Sequence, residues 1–110
     1  FPGQKTRIYL GPARGVNGQR VQTFYREVPL GPLEKRIYKR DVATEYGYQL
    51  IFSNIRSSPI TIKAIEHFYG IWEIIESQPP EYKKRREEII YYLEVPPHSQ
   101  RSIKYRARVI

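Results

Sequence analysis

Apolar and polar residues alternate along most of this chain, and the alternation is clearest between Tyr46 and Phe68. One run carries apolar side chains at positions 46, 48, 50 and 52, and a second run carries them at 60, 62, 64 and 68. A polar turn over 53–59 separates the two runs. A period of two places every second side chain on the same side of a strand, so each run has one apolar face. The pattern predicts a half-buried antiparallel hairpin.

The first third of the chain predicts another hairpin, from strands at 5–10 and 20–28. The intervening residues 11–18 are rich in Gly and Pro and contain an Asn-Gly pair, which suits a turn. The segment 29–32 contains two prolines, which lack the backbone donor that a central strand requires. It therefore predicts a connector.

The region from Leu33 to Ser53 contains no strong breaker except Gly47, and its apolar positions change phase along the way. A phase change inside an extended region is what one extra residue, a bulge, produces. Two strands or one long bent strand fit this region equally well.

The last third predicts strands at 71–76, 89–95 and 101–110. Trp72 and Ile74 are predicted to point to the core, as are two alternating sets: Ile89, Tyr91, Leu93 and Val95, then Ile103, Tyr105, Ala107 and Val109. The segment 81–88 favours helix by residue type but has no apolar stripe, which predicts a polar loop or a short helical turn.

About eight short strands with regular turns favour an all-β fold, an antiparallel immunoglobulin-like β-sandwich. A small closed barrel is the alternative. The chain has no Cys, so it lacks the Cys and Trp spacing that would indicate a true immunoglobulin domain. A length of 110 residues suits one domain over 1–110. Because residue 1 is Phe and Met is absent, we expect the chain to be an excised domain or a processed product that has lost its natural start.

The composition is strongly basic, with 19 Lys and Arg against 11 Asp and Glu, a formal charge of +8 and a pI near 9.8. Such a charge attracts polyanions such as nucleic acid or acidic glycans, but it also suits a surface built for solubility or heat resistance. Abundant Lys, Arg, Glu, Ile and Tyr without Cys or Met is typical of a thermophile. No run approaches the roughly 20 apolar residues of a membrane helix, so no span is predicted.

Residues suited to catalysis or metal binding do not form a recognisable pattern. His67 and His98 are the only imidazoles and are far apart in sequence, whereas a structural zinc site needs about four converging ligands. No nucleophile elbow, phosphate loop or dinucleotide fingerprint occurs. Glu66 and Glu73 are the one carboxylate pair that a hairpin would bring face to face. We therefore predict no catalytic residue, no metal site and no cofactor, and an enzyme is the least favoured class.

Basic residues concentrate in two places and predict a tentative binding face. That face comprises Lys83, Lys84, Arg85 and Arg86 of the polar loop, with Lys104, Arg106 and Arg108 on one side of the last strand. Tyr38, Tyr69, Tyr82 and Tyr92 are candidates for exposed rings. Cations that contact phosphates and rings that stack on bases are how sheet-faced single-strand binders work.

Several motifs in order resemble one known domain family. They are YQLIFSN at 48–54, PITI at 59–62, WEIIES at 72–77, LEVP at 93–96 and SIKYR at 102–106. This series resembles the C-terminal β-sandwich domain of mucoidy-inhibitor-like proteins, a domain of unknown function, from about 41 to 109. The resemblance implies an accessory domain of a larger, often exported envelope protein, and it carries over no active-site residue.

The leading functional hypothesis is a non-catalytic module for protein interaction or assembly, in a larger and extracytoplasmic parent protein. The expected partners are other domains or subunits of that parent. A partner strand added to an exposed edge is one mechanism, and the terminal strand at 102–110 is the predicted edge. The alternative hypothesis is a basic domain that binds polyanions.

Overall fold

The computed structural model describes the backbone of residues 6–10 and all of residues 16–110. Within these ranges the chain forms eight strands and one helix. They are β1 (Thr6–Leu10), β2 (Val16–Pro29), α1 (Pro32–Tyr38), β3 (Val42–Asn54), β4 (Ile60–His67), β5 (Trp72–Gln78), β6 (Lys83–Arg85), β7 (Glu88–Val95) and β8 (Ser99–Val109). Residue 5 of the first predicted strand and residues 11–15 of the first predicted turn lie outside the described residues.

The strands form two four-stranded antiparallel sheets, in the orders β1-β4-β7-β6 and β2-β3-β8-β5. We call them sheet A and sheet B respectively. Apolar residues from both sheets share one buried core, so the predicted all-β sandwich is confirmed.

Both predicted hairpins are wrong in their pairing. β3 belongs to sheet B and β4 to sheet A, so the turn between them crosses from one sheet to the other. β1 likewise pairs with β4, whereas β2 pairs with β3. The four strands lie largely where the alternation predicted them, but β2 begins at Val16, so residues 16–18 of the predicted turn belong to this strand. The period of two determines which face of a strand is apolar and leaves its pairing partner undetermined.

The region after Pro29 also differs from the predicted extended stretch. Residues 32–38 form α1, a helix with Gly31 at its N-cap and Pro32 in its first turn. The backbone N–H of Gly31 donates to Glu34 Oε1, and Lys39 ends the helix in the left-handed region with φ 55°. These are ordinary helix start and stop features. The change of phase along this region, which predicted two strands or one bent strand, therefore reflects a helix followed by β3.

The predicted polar loop at 81–88 is replaced by β6, a three-residue edge strand, and a turn in which Arg86 has φ 50°.

The last strand is also misplaced in the prediction, since β8 lies between β3 and β5. Its pairing with β3 covers residues 99–109 and its pairing with β5 covers 104–109, so most of the predicted edge at 102–110 is enclosed between two strands.

Aromatic contacts fill the end of the core near α1. The ring of Phe68 stacks on Trp72 with centroids 4.5 Å apart, and it lies edge-on to Tyr105. Trp72 and Ile74 pack against the core, as predicted, and β7 and β8 bury the two predicted alternating sets apart from the half-buried Leu93 and Val109.

Asn54 fastens the opposite end. Its buried side chain donates from Nδ2 to the carbonyl oxygens of Ser58, Val95 and Pro96, and its Oδ1 accepts the backbone N–H of Arg56. One amide thus joins the end of β3, the β3–β4 crossing and the end of β7.

Candidate interaction surfaces

The seven predicted basic residues do not form one face. Lys104, Arg106 and Arg108 lie on the outer face of sheet B, because they alternate with the buried Ile103, Tyr105 and Ala107. Lys83, Lys84 and Arg85 lie on β6 at the edge of sheet A, with Arg86 in the turn that follows.

Carboxylates pair with part of the basic set on sheet B. Arg106 Nε lies 3.4 Å from Glu76 Oε2, and Arg108 Nη2 lies 3.8 Å from Glu34 Oε2. Pairs this exposed contribute at most about 1 kcal/mol each. Their effect is to reduce the positive potential of the face that the sequence predicted to be basic.

Arg106 also covers a small hydrophobic feature of the same face. Its guanidinium carbon lies 4.1 Å from the centroid of the Phe24 ring, and Phe24 is the register partner of Gly47. A Cβ at Gly47 would come within 3.0 Å of the Tyr105 carbonyl oxygen and 3.1 Å of Arg106 Cγ. Glycine is required here by the close approach of neighbouring groups.

The lysines of β6 rest on aromatic rings. Lys83 Nζ lies 5.5 Å from the centroid of Tyr92, which is exposed, and Lys84 Nζ lies 4.6 Å from the centroid of Trp72. Tyr69 is exposed as well, whereas Tyr38 and Tyr82 are half-buried. Two of the four tyrosines predicted to be exposed are therefore on the surface.

The candidate catalytic and metal-binding groups are dispersed. His67 Nε2 lies 3.2 Å from Glu87 Oε2 at the edge of sheet A, and His98 lies in the β7–β8 connection. Glu73 pairs in register with Arg108 on the outer face of sheet B, while Glu66 points into the core, so the two carboxylates do not face each other. In residues 6–10 and 16–110, no three His, Asp or Glu side chains are grouped closely enough to hold a metal ion.

Glu66 was considered as a candidate carboxylate, but its burial in the core was not predicted from the sequence. Its side chain is fully buried between the sheets, where Oε1 accepts hydrogen bonds from the Tyr105 hydroxyl at 2.7 Å and Arg20 Nε at 3.1 Å. The guanidinium of Arg20 lies 3.6 Å from the centroid of Tyr48. The signal was available, because position 66 continues the apolar series 60, 62, 64 and 68.

The cluster raises the pKa values of Tyr105 and Arg20. Burial raises the pKa of Tyr105 well above its ordinary range, and the Glu66 carboxylate raises it further. Burial alone would lower the pKa of Arg20, but the combined attraction of Glu66, Tyr105 and Tyr48 outweighs it and raises that pKa. The Arg20–Glu66 ion pair thus links the two sheets.

The outer edges of the two sheets differ in how they are protected. β6 is three residues long and carries only Lys and Arg, and β5 has a register shift between Ile74 and Glu76. Short length, Lys and bulges are the features that normally prevent edge pairing. β2 is 14 residues long, and only its β3 side is paired in the part of the chain that the structure describes.

The second exposed feature is the apolar side of α1. Leu33 and Ile37 are 64% and 59% exposed, and α1 has no buried residue. Glu34 and Tyr38 lie on another side of the helix and border a cleft of about 250 Å³ that also contains Arg108. The helix therefore rests on sheet B by one side and leaves its apolar pair to solvent.

Comparison of the chain with protein-family models, curated proteins and solved structures found no match to any of them. The resemblance to mucoidy-inhibitor-like proteins accordingly stays a prediction. In the described residues, no helix is long and apolar enough to cross a membrane.

Proposed function

We propose that this chain is a non-catalytic β-sandwich module that binds another protein by accepting an extended segment on the outer edge of β2. The observation that carries the proposal is the contrast between the long β2 edge and the protected edge strands β5 and β6. A strand added to such an edge gains main-chain hydrogen bonds, and alternate side chains then supply specificity.

The first half of β2 suits this role. Residues 16–22 pair with β3 in an unbroken register, from Val16 opposite Asn54 to Gln22 opposite Tyr48, and the bulge begins only after Gln22. This stretch contains neither Lys nor Pro. Its unbroken register is long enough to template a partner strand of about six residues.

The one charge in this stretch is directed away from the edge. Arg20 points between the sheets to Glu66, where the ion pair and the Tyr48 ring hold it. Gln19 and Val21 lie on the outer face beside the edge and are uncharged. A partner strand would therefore pair with a backbone edge free of outward charges, beside the polar side chain of Gln19 and the aliphatic side chain of Val21.

We infer further that the fold is a variant of the immunoglobulin-like sandwich. The order β1-β4-β7-β6 matches immunoglobulin strands A-B-E-D, and β5-β8-β3 matches C-F-G. Strands B to F would then follow the chain order β4 to β8, and the place of strand G would be taken by β3. Trp72 would lie on strand C, as the buried Trp of immunoglobulin domains does. In this interpretation β2 is an added strand outside the shared core.

The sequence resemblance agrees with an assembly role. A mucoidy-inhibitor-like parent would place the module at the C-terminal end of a larger, extracytoplasmic protein, with other domains or subunits of that parent as its partners. Both the parent and the location belong to the proposal.

A displayed library of ten-residue peptides, selected on the full chain, tests the proposal. We expect enriched peptides with β-forming residues at alternate positions, and slowed hydrogen exchange at β2 amides when they bind. Val21→Lys should weaken binding at least tenfold, because Lys protects edges. Ile75→Lys is the matched control, since the two side chains are 45% and 46% exposed and the charge change is the same.

A selection that yields no peptide protecting β2 amides, or β2-protecting peptides that bind Val21→Lys as well as the parent chain, would contradict the proposal. Concentration-dependent dimerisation that Val21→Lys abolishes would identify a second copy of the chain as the partner strand.

Polyanion binding is the alternative function, and the Tyr92 region favours it. The ring is exposed beside Lys63 Nζ at 6.0 Å and Lys83 Nζ at 5.5 Å, an arrangement in which a base or sugar stacks next to two cations. Its affinity would fall steeply with salt.

A further inference from the structure

We propose a second protein-binding surface, the α1 patch, formed by Leu33, Arg36, Ile37, Lys39 and Arg40. Its partner is a protein segment that presents apolar side chains flanked by Asp or Glu. The inference shares the proposed function of protein binding but uses none of residues 16–22 of β2, so either can fail alone.

The helix is arranged so that two residues remain uncovered. Successive helical residues are separated by about 100°, which puts Leu33 and Ile37 on one side and Glu34 and Tyr38 on another. The second pair borders the cleft above sheet B, and Glu34 reaches Arg108. A seven-residue helix is marginal in isolation and normally depends on packing of its apolar side. Here that side is the one left open.

The charges around the apolar pair define the partner's chemistry. Arg36 lies about 60° from Leu33 around the helix, on the side away from sheet B, and Lys39 and Arg40 follow at its end. None of these three cations forms an ion pair in the described part of the chain, whereas Glu34 is already bonded to Gly31 and Arg108. Acidic groups beside the partner's apolar anchors would complete these pairs.

Two other occupants fit less well. A second copy of the chain would bring two sets of unpaired cations together, which repel. An anionic membrane would meet carboxylates, since Glu34 and Glu73 line the cleft on one side of the helix and Asp41 lines a cleft of about 500 Å³ at its end. Exposed apolar side chains flanked by unpaired cations suit a protein segment that carries both apolar and acidic side chains.

The test uses the same displayed library, with selection on the full chain and counter-selection on the double variant Leu33→Ser, Ile37→Ser. Both side chains are exposed, so we expect the variant to keep its stability. We expect enriched peptides that combine Leu, Ile or Phe with Asp or Glu, and that shift the amide resonances of α1 on binding. The double variant should bind them at least tenfold more weakly, and Arg36→Glu with Arg40→Glu should do the same.

Ile55→Ser is the matched control, because Ile55 is 72% exposed and lies outside the α1 patch. Equal enrichment on the parent chain and the double variant would overturn the inference. So would binding to phosphatidylserine vesicles, but not to acidic peptides, that depends on Leu33 and Ile37. Val21→Lys should leave binding at the α1 patch unchanged, which separates this result from the test of β2.

Discussion

The hydroxyl of Tyr105 in sheet B donates a 2.7 Å hydrogen bond to the buried carboxylate of Glu66 in sheet A. The same oxygen accepts Arg20 Nε, so one carboxylate neutralises a cation and satisfies a phenol in the interior. Removing one partner of a buried pair leaves the other charge uncompensated, which costs far more than the pair contributes.

We expect Glu66→Gln to lower the free energy of unfolding by about 2 to 4 kcal/mol, because Gln keeps an acceptor but leaves Arg20 unneutralised. Urea unfolding at pH 7 measures the change. Glu94→Gln on the exposed side of β7 makes the same chemical change and should alter stability by less than about 0.5 kcal/mol. Equal losses of unfolding free energy in the two variants would show that the buried Glu66–Arg20 pair stabilises the fold no more than an exposed carboxylate does.

Alkaline pH should destabilise the fold through its buried tyrosines. Burial raises the pKa of Tyr91 to about 12, and that of Tyr105 is also raised, whereas tyrosines of the unfolded chain titrate near 10. The stability linked to these groups is complete below about pH 10. It is lost as the pH rises from about 10 towards 12, since the unfolded chain releases its protons first.

The loss should approach about 1.4 kcal/mol per pH unit for each tyrosine. In the double variant Tyr91→Phe, Tyr105→Phe, unfolding measured by denaturant between pH 9 and 11.5 should lose most of this slope. An unchanged slope would assign alkaline unfolding to other groups.

Gly47→Ala should destabilise the domain by about 1 to 3 kcal/mol, the usual range for overpacking. The added methyl would meet the Tyr105 carbonyl oxygen, which is held in the β3–β8 ladder and cannot move aside. Gly31→Ala is the control, because its nearest contact would be Glu34 Oε1 at 3.7 Å. Thermal unfolding that ranks Gly31→Ala as the more harmful change would refute this interpretation of the close approach.

Asn54→Ala should cost about 2 to 4 kcal/mol, since three carbonyl oxygens and one backbone N–H lose their partner. Ser53→Ala removes a single exposed contact to Gln100 and should cost less than about 1 kcal/mol. Hydrogen exchange should show the loss of protection in Asn54→Ala at the ends of β3 and β7 together. Loss confined to β3 would mean that the amide does not couple the two strands.

If the alternative function holds, a fluorescent single-stranded 20-mer DNA should bind at low salt with a logarithmic salt dependence. Lys83→Glu should weaken binding more than Arg106→Glu, because Arg106 is already paired with Glu76. No detectable binding at 20 mM salt would exclude nucleic acid as the ligand.

The alternation of residues predicts the strands and the faces of this fold, and particular residues show where prediction ends. Tyr105 and Ile103 are buried as their period requires. The helix was missed because Pro32 was interpreted as a breaker, although Pro in the first turn with Glu two residues later is also typical of a helix start. The burial of Glu66 was missed because a charged residue was not counted as part of the buried series 60, 62, 64 and 68. Periodicity does not predict which strands pair, because a strand buries the same face in either sheet.

The division of successive strands between the sheets affects how the chain acquires its fold. Of the seven steps between consecutive strands, five change sheet: β1 to β2, β3 to β4, β4 to β5, β5 to β6 and β7 to β8. Only two pairs of consecutive strands, β2 with β3 and β6 with β7, are neighbours in a sheet and can form hairpins. The remaining strand pairs join segments that are distant along the chain. Proteins with such non-local β topologies typically fold in about milliseconds to seconds. Fragments cut between β4 and β5 should therefore stay unstructured alone and regain the fold only when mixed.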